Sequence, residues 1–263
     1  MNDTKADPLA AFRLDDRLVV VTGASQGIGR HLAEAYARAG AAMVLASRRK
    51  DTLEEVRAAI AARGGKAEVV PTDVSRLDDV RALADAVRDF AQPDGRHIVL
   101  VNNAGLGFTK AALEVDEADW ERVFEAQVKG TFFCAQRIGA LMLAHGYGKI
   151  INMSSTWAVR SEPGKSVYCA AKAAISQLTA ALSTEWAPRG VRVNALAPAT
   201  TMTDAGRSRM DADPARAALL KSRIRLGRFE EPSDLTGAAV FLASAASDFV
   251  TGQTLFVDGG FTS

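Results

Sequence analysis

Cysteine is almost absent: Cys134 and Cys169 are the only two among 263 residues. Each lies in a run with helical periodicity, and neither has another cysteine or a histidine at the spacing a zinc site needs. A disulfide framework is therefore excluded and a reducing compartment is expected. Charge of one sign is lacking as well, since 32 basic residues face 31 acidic ones for a net charge of +1. Without a single-sign field, nucleic acid and anionic membrane are poor partners, and a small molecule is expected instead. No apolar stretch reaches the roughly 20 residues of a membrane helix. The start, "MNDTKADPLAAFRLDD", lacks the order of basic, apolar and small residues that marks a secretory signal. A soluble, cytoplasmic protein is expected. Repeats, low-complexity tracts and linkers are missing, and His31, His97 and His145 stand apart from any nucleophile or fellow ligand, so no metal site is expected.

What remains is a chain with 48% hydrophobic residues, long enough for a large core within one domain. A polar tail is read over residues 1–15 and a single domain over 16–263. Short β-branched runs predict strands at 18–22, 42–47, 67–72, 97–102, 149–154, 191–196 and 254–258. Longer amphipathic runs predict helices at about 28–39, 51–63, 76–91, 117–144, 167–187 and 232–246. Such alternation implies right-handed crossovers, hence an α/β fold of the Rossmann type: a doubly wound, parallel, seven-stranded sheet with helices on both faces. Residues 200–227, including "TDAGRSRMDADPAR", follow neither period and are read as a substrate lid. Glu114, Asp116, Glu117 and Asp119 form an acidic helix entrance suited to the helix dipole.

The first strand runs into "TGASQGIGR". Gly23 permits a tight turn, Gly27 lets the backbone approach a pyrophosphate, and Gly29 allows close helix packing, with Ser25, Gln26 and Ile28 between them. The following helix start offers free N–H groups to an anion. The second strand ends "LASRRK", where a carboxylate would hold the ribose hydroxyls of NAD. Ser47, Arg48 and Arg49 stand there instead, a hydroxyl and two cations suited to a 2′-phosphate, so NADP is expected and NAD is disfavoured. "TDVS" supplies Asp73 for the adenine amine and Val74 for its ring, while "NNAG" supplies Asn103, Ala104 and Gly105 for a turn close to the nucleotide.

In "INMSSTWAVRSEPGKSVYCAAK", Tyr168 and Lys172 fall one helical turn apart on one face. An ammonium beside a phenol favours the phenolate and is expected to draw the tyrosine pKa down toward the range of a general acid/base. Ser155, leaving the fifth strand, is placed to donate a hydrogen bond to a substrate oxygen. Cys169 points about 100° away from Tyr168 around the helix and reads as a packed thiol.

Together, "TGASQGIG", "NNAG", "SSTWAVRSEPGKSVYCAAK", "VNALAP" and the ending from "GRFEEPSDLTG" to "LFVDGG" resemble the short-chain dehydrogenase/reductase family over roughly residues 14–261. The resemblance implies hydride exchange between the cofactor and a carbonyl or alcohol carbon, with Tyr168 moving the proton and Ser155 polarising the substrate oxygen. By the same likeness Lys172 binds the nicotinamide ribose, Thr203 holds the carboxamide, Thr201 belongs to the same cofactor wall, and helices 117–144 and 167–187 pair subunits into a homotetramer. Two positions depart from the family pattern. Gln127 replaces an asparagine that supports a proton path to the lysine, displacing such a relay by about one carbon–carbon bond. Ala199 replaces a glycine after Pro198.

Substrate candidates are 3-oxoacyl thioesters, general ketones, and sugars or polyols. A nucleotide-binding regulatory or scaffolding protein with weakened catalysis is the alternative from another class. Trp157, Arg160 and Glu162 are candidate substrate contacts. Arg160, Arg207 and Arg209 suit a carboxylate or phosphate, but Glu162, Asp204 and Asp211 offset them and leave substrate charge open. Arg189 and Lys149 are the basic residues suited to docking an acidic carrier protein.

Overall fold

A computed structural model describes residues 9–91 and 95–263. Residues 1–8, most of the expected tail, lie outside the described residues. The strands are β1 Arg17–Thr22, β2 Ala42–Ser47, β3 Ala67–Pro71, β4 His97–Asn102, β5 Gly148–Met153, β6 Val191–Pro198 and β7 Thr254–Val257. They form a parallel sheet in the order β3-β2-β1-β4-β5-β6-β7. The helices are α1 Gly27–Arg38, α2 Lys50–Ala61, α3 Leu77–Ala91, α4 Glu117–Phe124, α5 Gly130–His145, α6 Ser166–Trp186, α7 Asp204–Ala212, α8 Pro214–Arg223 and α9 Thr236–Ala243. None among the described residues is long and apolar enough to cross a membrane.

The continuous apolar runs of β1, β2 and β4 follow from helices covering both faces. Successive side chains alternate between two cores. Val19, Val21, Met43, Leu45, Val99 and Val101 pack with Leu32 and Tyr36 of α1, Val56 of α2 and Leu242 of α9. Leu18, Val20, Val44 and Leu100 pack with Val80, Leu83 and Val87 of α3, Ile138 and Met142 of α5, and Trp186 of α6. Full burial of each such Leu or Val stabilises the fold by about 1.5–3 kcal/mol. Because the strand order reverses at β1 and β4, their carboxyl ends open a crevice for a ligand.

Four local readings change. The helix expected over 117–144 is α4 and α5 joined by a π-helical turn, Glu125–Lys129. Gly130 exits that turn against β3's following loop; a Cβ there would lie 2.8 Å from a Val74 methyl. The helix expected over 232–246 is a 3₁₀ turn at Pro232–Leu235, started by Pro232 and a capping box between Glu231 and Asp234, followed by α9 and a further 3₁₀ turn. The lid holds two short helices with side-chain caps, Thr203 on α7 and Asp213 on α8. Finally, the stretch up to residue 15 is packed from residue 9 onward: Leu14 is fully buried, donates its N–H to the Ala39 carbonyl at 3.0 Å, and follows Phe12, whose ring centroid is 6.3 Å from that of Phe241.

Candidate active site

Two turns at the β1/β4 crevice are fastened together. Thr22 Oγ1 accepts the N–H groups of Asn103 and Ala104, both at 3.0 Å. Asn103 Nδ2 donates back to the carbonyls of Thr22 at 3.0 Å and Gly23 at 3.3 Å. Gly23 and Gly27 have φ of 69° and 55°, the left-handed region open to glycine. A Cβ on Gly29 would meet Gly23 O at 2.3 Å and Asn103 Nδ2 at 2.4 Å, so the start of α1 presses directly on the turn. Gln26 makes no side-chain cap on α1, which leaves first-turn N–H groups for an anion.

Ser25, Gln26, Ile28, Ser47, Arg48, Asp73, Val74, Ala104 and Gly105 all line this one cleft. Arg49 also lines it, reaching Gln26 Oε1 at 2.5 Å and Ser25 Oγ at 3.4 Å. Burial raises Asp73, but Ser75, donating from hydroxyl (2.7 Å) and amide (3.0 Å), and then Arg48 outweigh it and hold the carboxyl below its ordinary value. The cradle suits a dinucleotide: backbone approaches where Cβ atoms would collide, first-turn helix N–H groups carry no side-chain cap from Gln26, and two cations stand where β2 ends.

The cleft continues into a pocket lined by Ser155, Tyr168, Lys172, Gln127, Thr201 and Thr203. Lys172 Nζ donates to Met153 O at 2.7 Å and lies 5.6 Å from the Tyr168 ring centroid. Ser155 and Tyr168 line this pocket together, and Ser155 acts to lower the Tyr168 pKa. The Ser155 oxygen accepts the Trp157 N–H at 3.2 Å, which orients it. The adjacent Ser154 is occupied elsewhere, with Ser176 Oγ at 2.7 Å.

A family model described as enoyl-(acyl carrier protein) reductase matches residues 23–262. Over 254 residues the chain is 38% identical to gluconate 5-dehydrogenase of Gluconobacter oxydans, covering 95% of this chain and 96% of that one. It belongs to the short-chain dehydrogenase/reductase family. It is also 41% identical over 266 residues to galactitol 2-dehydrogenase (L-tagatose-forming) of Cereibacter sphaeroides, covering 97% and 99% of the two chains. The crystal structure of a gluconate 5-dehydrogenase from Burkholderia cenocepacia J2315, in complex with NADP and tartrate, superposes with TM-score 0.90 at 38% identity, covering 97% of this chain and 98% of that one.

Within this short-chain dehydrogenase, burial governs the electrostatics of the Tyr168–Lys172 pair. Desolvation pushes Tyr168 above its ordinary value, with the Ser155 hydrogen bond and the Arg209 charge pulling only partly against it. Desolvation lowers Lys172 to about 8. The expected depression of the tyrosine pKa by the lysine is thus corrected: loss of water around the phenol dominates. The phenol stays protonated at neutral pH, as a proton donor requires.

Gln127 is fully buried in the π-helical turn, a distortion frequent at functional sites. Its Nε2 donates to Leu106 O at 2.9 Å, and its Oε1 has no partner among the described residues. Thr201's hydroxyl is spent on Glu230 at 2.5 Å, so Thr201 braces the wall and has no free donor for the cofactor. Thr203 Oγ1 accepts the Gly206 N–H at 3.1 Å, and its methyl lies 3.4 Å from where a Gly27 Cβ would stand, closing the lid's start over the glycine turn. Glu230 was not singled out from the sequence; burial raises its carboxyl to about 7 despite the hydrogen bond from Thr201.

Other candidates lie apart. Arg160 donates to the Thr262 carbonyl and Arg207 pairs with Glu231 at 2.7 Å, so neither serves the pocket. Trp157 does line it, and Glu162 is bound to Arg216 on its rim. Lys149 is 1% exposed, held by Ser247 Oγ at 2.8 Å and Asp248 at 2.9 Å, which removes it from any carrier-docking surface. His31 meets Thr236 Oγ1 at 2.9 Å, and His97 and His145 pack edge to face. Asp116 caps α4 through the Asp119 N–H at 2.8 Å. Cys169 packs beside the pocket with its Sγ 3.6 Å from Arg160 O.

Proposed function

We propose that this chain is an NADP-dependent oxidoreductase that interconverts a secondary hydroxyl and a ketone on a polyhydroxylated, sugar-derived small molecule. The observation that carries the reading is the placement of Tyr168 and Lys172, one helical turn apart, with Ser155 in one pocket where the dinucleotide cleft opens. When bound, the nicotinamide supplies or accepts the hydride. Ser155 donates a hydrogen bond to the substrate oxygen, and Tyr168 donates its proton to the same oxygen as charge develops there. Lys172 holds a cation beside the phenolate that remains and faces the nicotinamide ribose, while Gln127 supports the backbone at Leu106 behind it. Arg48 and Arg49 take the 2′-phosphate, Asp73 and Val74 the adenine, and Thr203 the carboxamide. The sugar and polyol relatives favour this substrate class over acyl thioesters.

A homotetramer in a reducing cytoplasm belongs to the same proposal. Trp120, 43% exposed, stacks on Phe124 at 4.4 Å on the outer side of α4, an apolar patch suited to a subunit contact. Buried Cys134 and half-buried Cys169 are free thiols. Initial rates with NADPH, NADH, NADP and NAD across ketoses, polyols and sugar acids test the reading. Turnover with NADP(H), shifted toward NAD(H) by Arg48→Asp, is expected. Acyl thioesters turned over in preference to every sugar derivative would overturn the substrate class, and light scattering showing a monomer would overturn the assembly.

A further inference from the structure

Two cations face the catalytic pocket without a carboxylate partner. Lys165, which precedes α6 and stands three residues before Tyr168, is 7% exposed. Its Nζ donates to Phe108 O at 3.0 Å and Thr109 Oγ1 at 2.6 Å, both neutral acceptors, and lies 5.4 Å from the Tyr168 ring centroid. An ammonium has three N–H donors, so one is unclaimed. Arg209, on α7 across the pocket, uses Nε on its own helix at Ala205 O (3.1 Å). Its Nη1 hangs over Gly107, where a Cβ would lie 2.7 Å away, so Gly107 leaves the space the guanidinium fills. Among the described residues no carboxylate comes within 4.0 Å of either group. The one acid of this rim, Glu162, is bound to Arg216, a third cation. By contrast Arg207, Arg228 and Lys110, on the same half of the molecule, all pair with carboxylates.

A buried ammonium without a counter-charge is unfavourable unless something else supplies one. Arg216 and Arg209 crowd Lys165 further, and burial with those two charges holds its pKa below the ordinary value, with only Glu162 and Cys169 acting against them. Lys165, Arg209 and Arg216 against Glu162 leave a charge of about +2 that no carboxylate among the described residues pairs with, next to the phenol that handles the substrate oxygen.

We propose that the substrate bears an oxyanion head group, a carboxylate or a phosphate ester, and that Lys165 and Arg209 bind it and so set the reacting carbon against Tyr168. This rests on the oxidoreductase reading above and narrows it from polyols in general to sugar acids or sugar phosphates. The relatives act on both charged and neutral compounds, gluconate in one case and galactitol in another, so kinship alone leaves the choice open. Lys165 and Arg209 decide it. They are binding residues: the anion they hold is remote from the bond that changes.

The test compares kcat/KM for matched sets, an aldonate, the corresponding alditol and the corresponding sugar phosphate, in the parent, Lys165→Met, Arg209→Gln and Arg207→Gln. One anionic member is expected to exceed the alditol by at least about tenfold, and which one identifies the head group. For it, Lys165→Met and Arg209→Gln raise KM on the order of 10- to 100-fold with a smaller change in kcat, and the loss on the alditol is about tenfold smaller or less. Arg207→Gln, a lid cation already paired, leaves KM unchanged. Arg209 is exposed on α7, so its variant folds even where Lys165→Met does not. Alditol turned over as well as both anions, or equal losses on charged and neutral substrates, would overturn the proposal and leave the oxidoreductase reading standing. No turnover in any arm would instead strike at that reading. The anion site is then read by calorimetric titration of tartrate into the NADPH-loaded protein: binding weakened tenfold or more by Arg209→Gln supports it, and no binding to the parent refutes it.

Discussion

Gly29→Ala tests the nucleotide turn at its tightest point. The added Cβ would stand 2.3 Å from Gly23 O and 2.4 Å from Asn103 Nδ2, and ordinary contact begins near about 3.4 Å. Neither neighbour is a flexible side-chain end: one is backbone, and the other is held by Thr22 O and Gly23 O. The start of α1 must therefore withdraw by about 1 Å, or the fastening between the β1 and β4 turns must open. Overpacking of this kind costs about 1–3 kcal/mol, and each of the two Asn103 hydrogen bonds adds about 1 kcal/mol if lost. A total loss of roughly 1–5 kcal/mol is expected in urea unfolding. NADPH affinity falls more than tenfold, because the displaced N–H groups are those that face the pyrophosphate. Fluorescence titration of NADPH measures the second quantity. A variant with unfolding free energy within about 0.5 kcal/mol of the parent and NADPH affinity within twofold would refute the close approach and the role given to the turn.

Gln127→Asn shortens the side chain that holds Leu106 O at 2.9 Å inside the π-helical turn, and losing that bond with one buried methylene destabilises the fold by about 1–2 kcal/mol; unchanged urea unfolding would mean the bond is not made in solution. Glu230 has a folded-state pKa raised to about 7 from an unfolded value near 4.5. Its stabilising effect is therefore full below pH 4.5 and lost as pH rises through 7. Relative to Glu230→Gln, the parent loses up to roughly 3 kcal/mol between pH 5 and pH 8, and parallel stability curves for the two proteins would contradict the burial of that carboxyl.

Much of the site was legible because its logic is local. The glycine turn follows from φ values that only glycine adopts readily, and Tyr168 and Lys172 share a face because four residues make one turn. The strands were legible because crossover helices force both of their faces to be apolar. Other features depend on distant partners. Lys165 looks like an ordinary lysine before a helix; its burial is made by Phe108 and Thr109, more than fifty positions earlier. Arg207 and Arg209 are equivalent by composition, yet two positions on a helix lie about 200° apart, so one meets Glu231 and the other the pocket. With α7 read as a loop, no phase was available to separate them. Lys149 was read as surface from its charge, whereas its strand lies inside the sheet and Ser247 and Asp248 satisfy it there. The tyrosine pKa was argued from its charged neighbour alone, and desolvation, invisible in a sequence, proved larger.

The central claim is that Tyr168 moves the proton while the remainder of the site binds. Single-turnover reduction of the best ketone by pre-bound NADPH, compared in the parent and Tyr168→Phe, tests it most directly. The account predicts NADPH affinity within about threefold and thermal stability little changed, with the hydride-transfer rate falling by about 10²–10⁴. A Phe variant that transfers hydride within tenfold of the parent would contradict it.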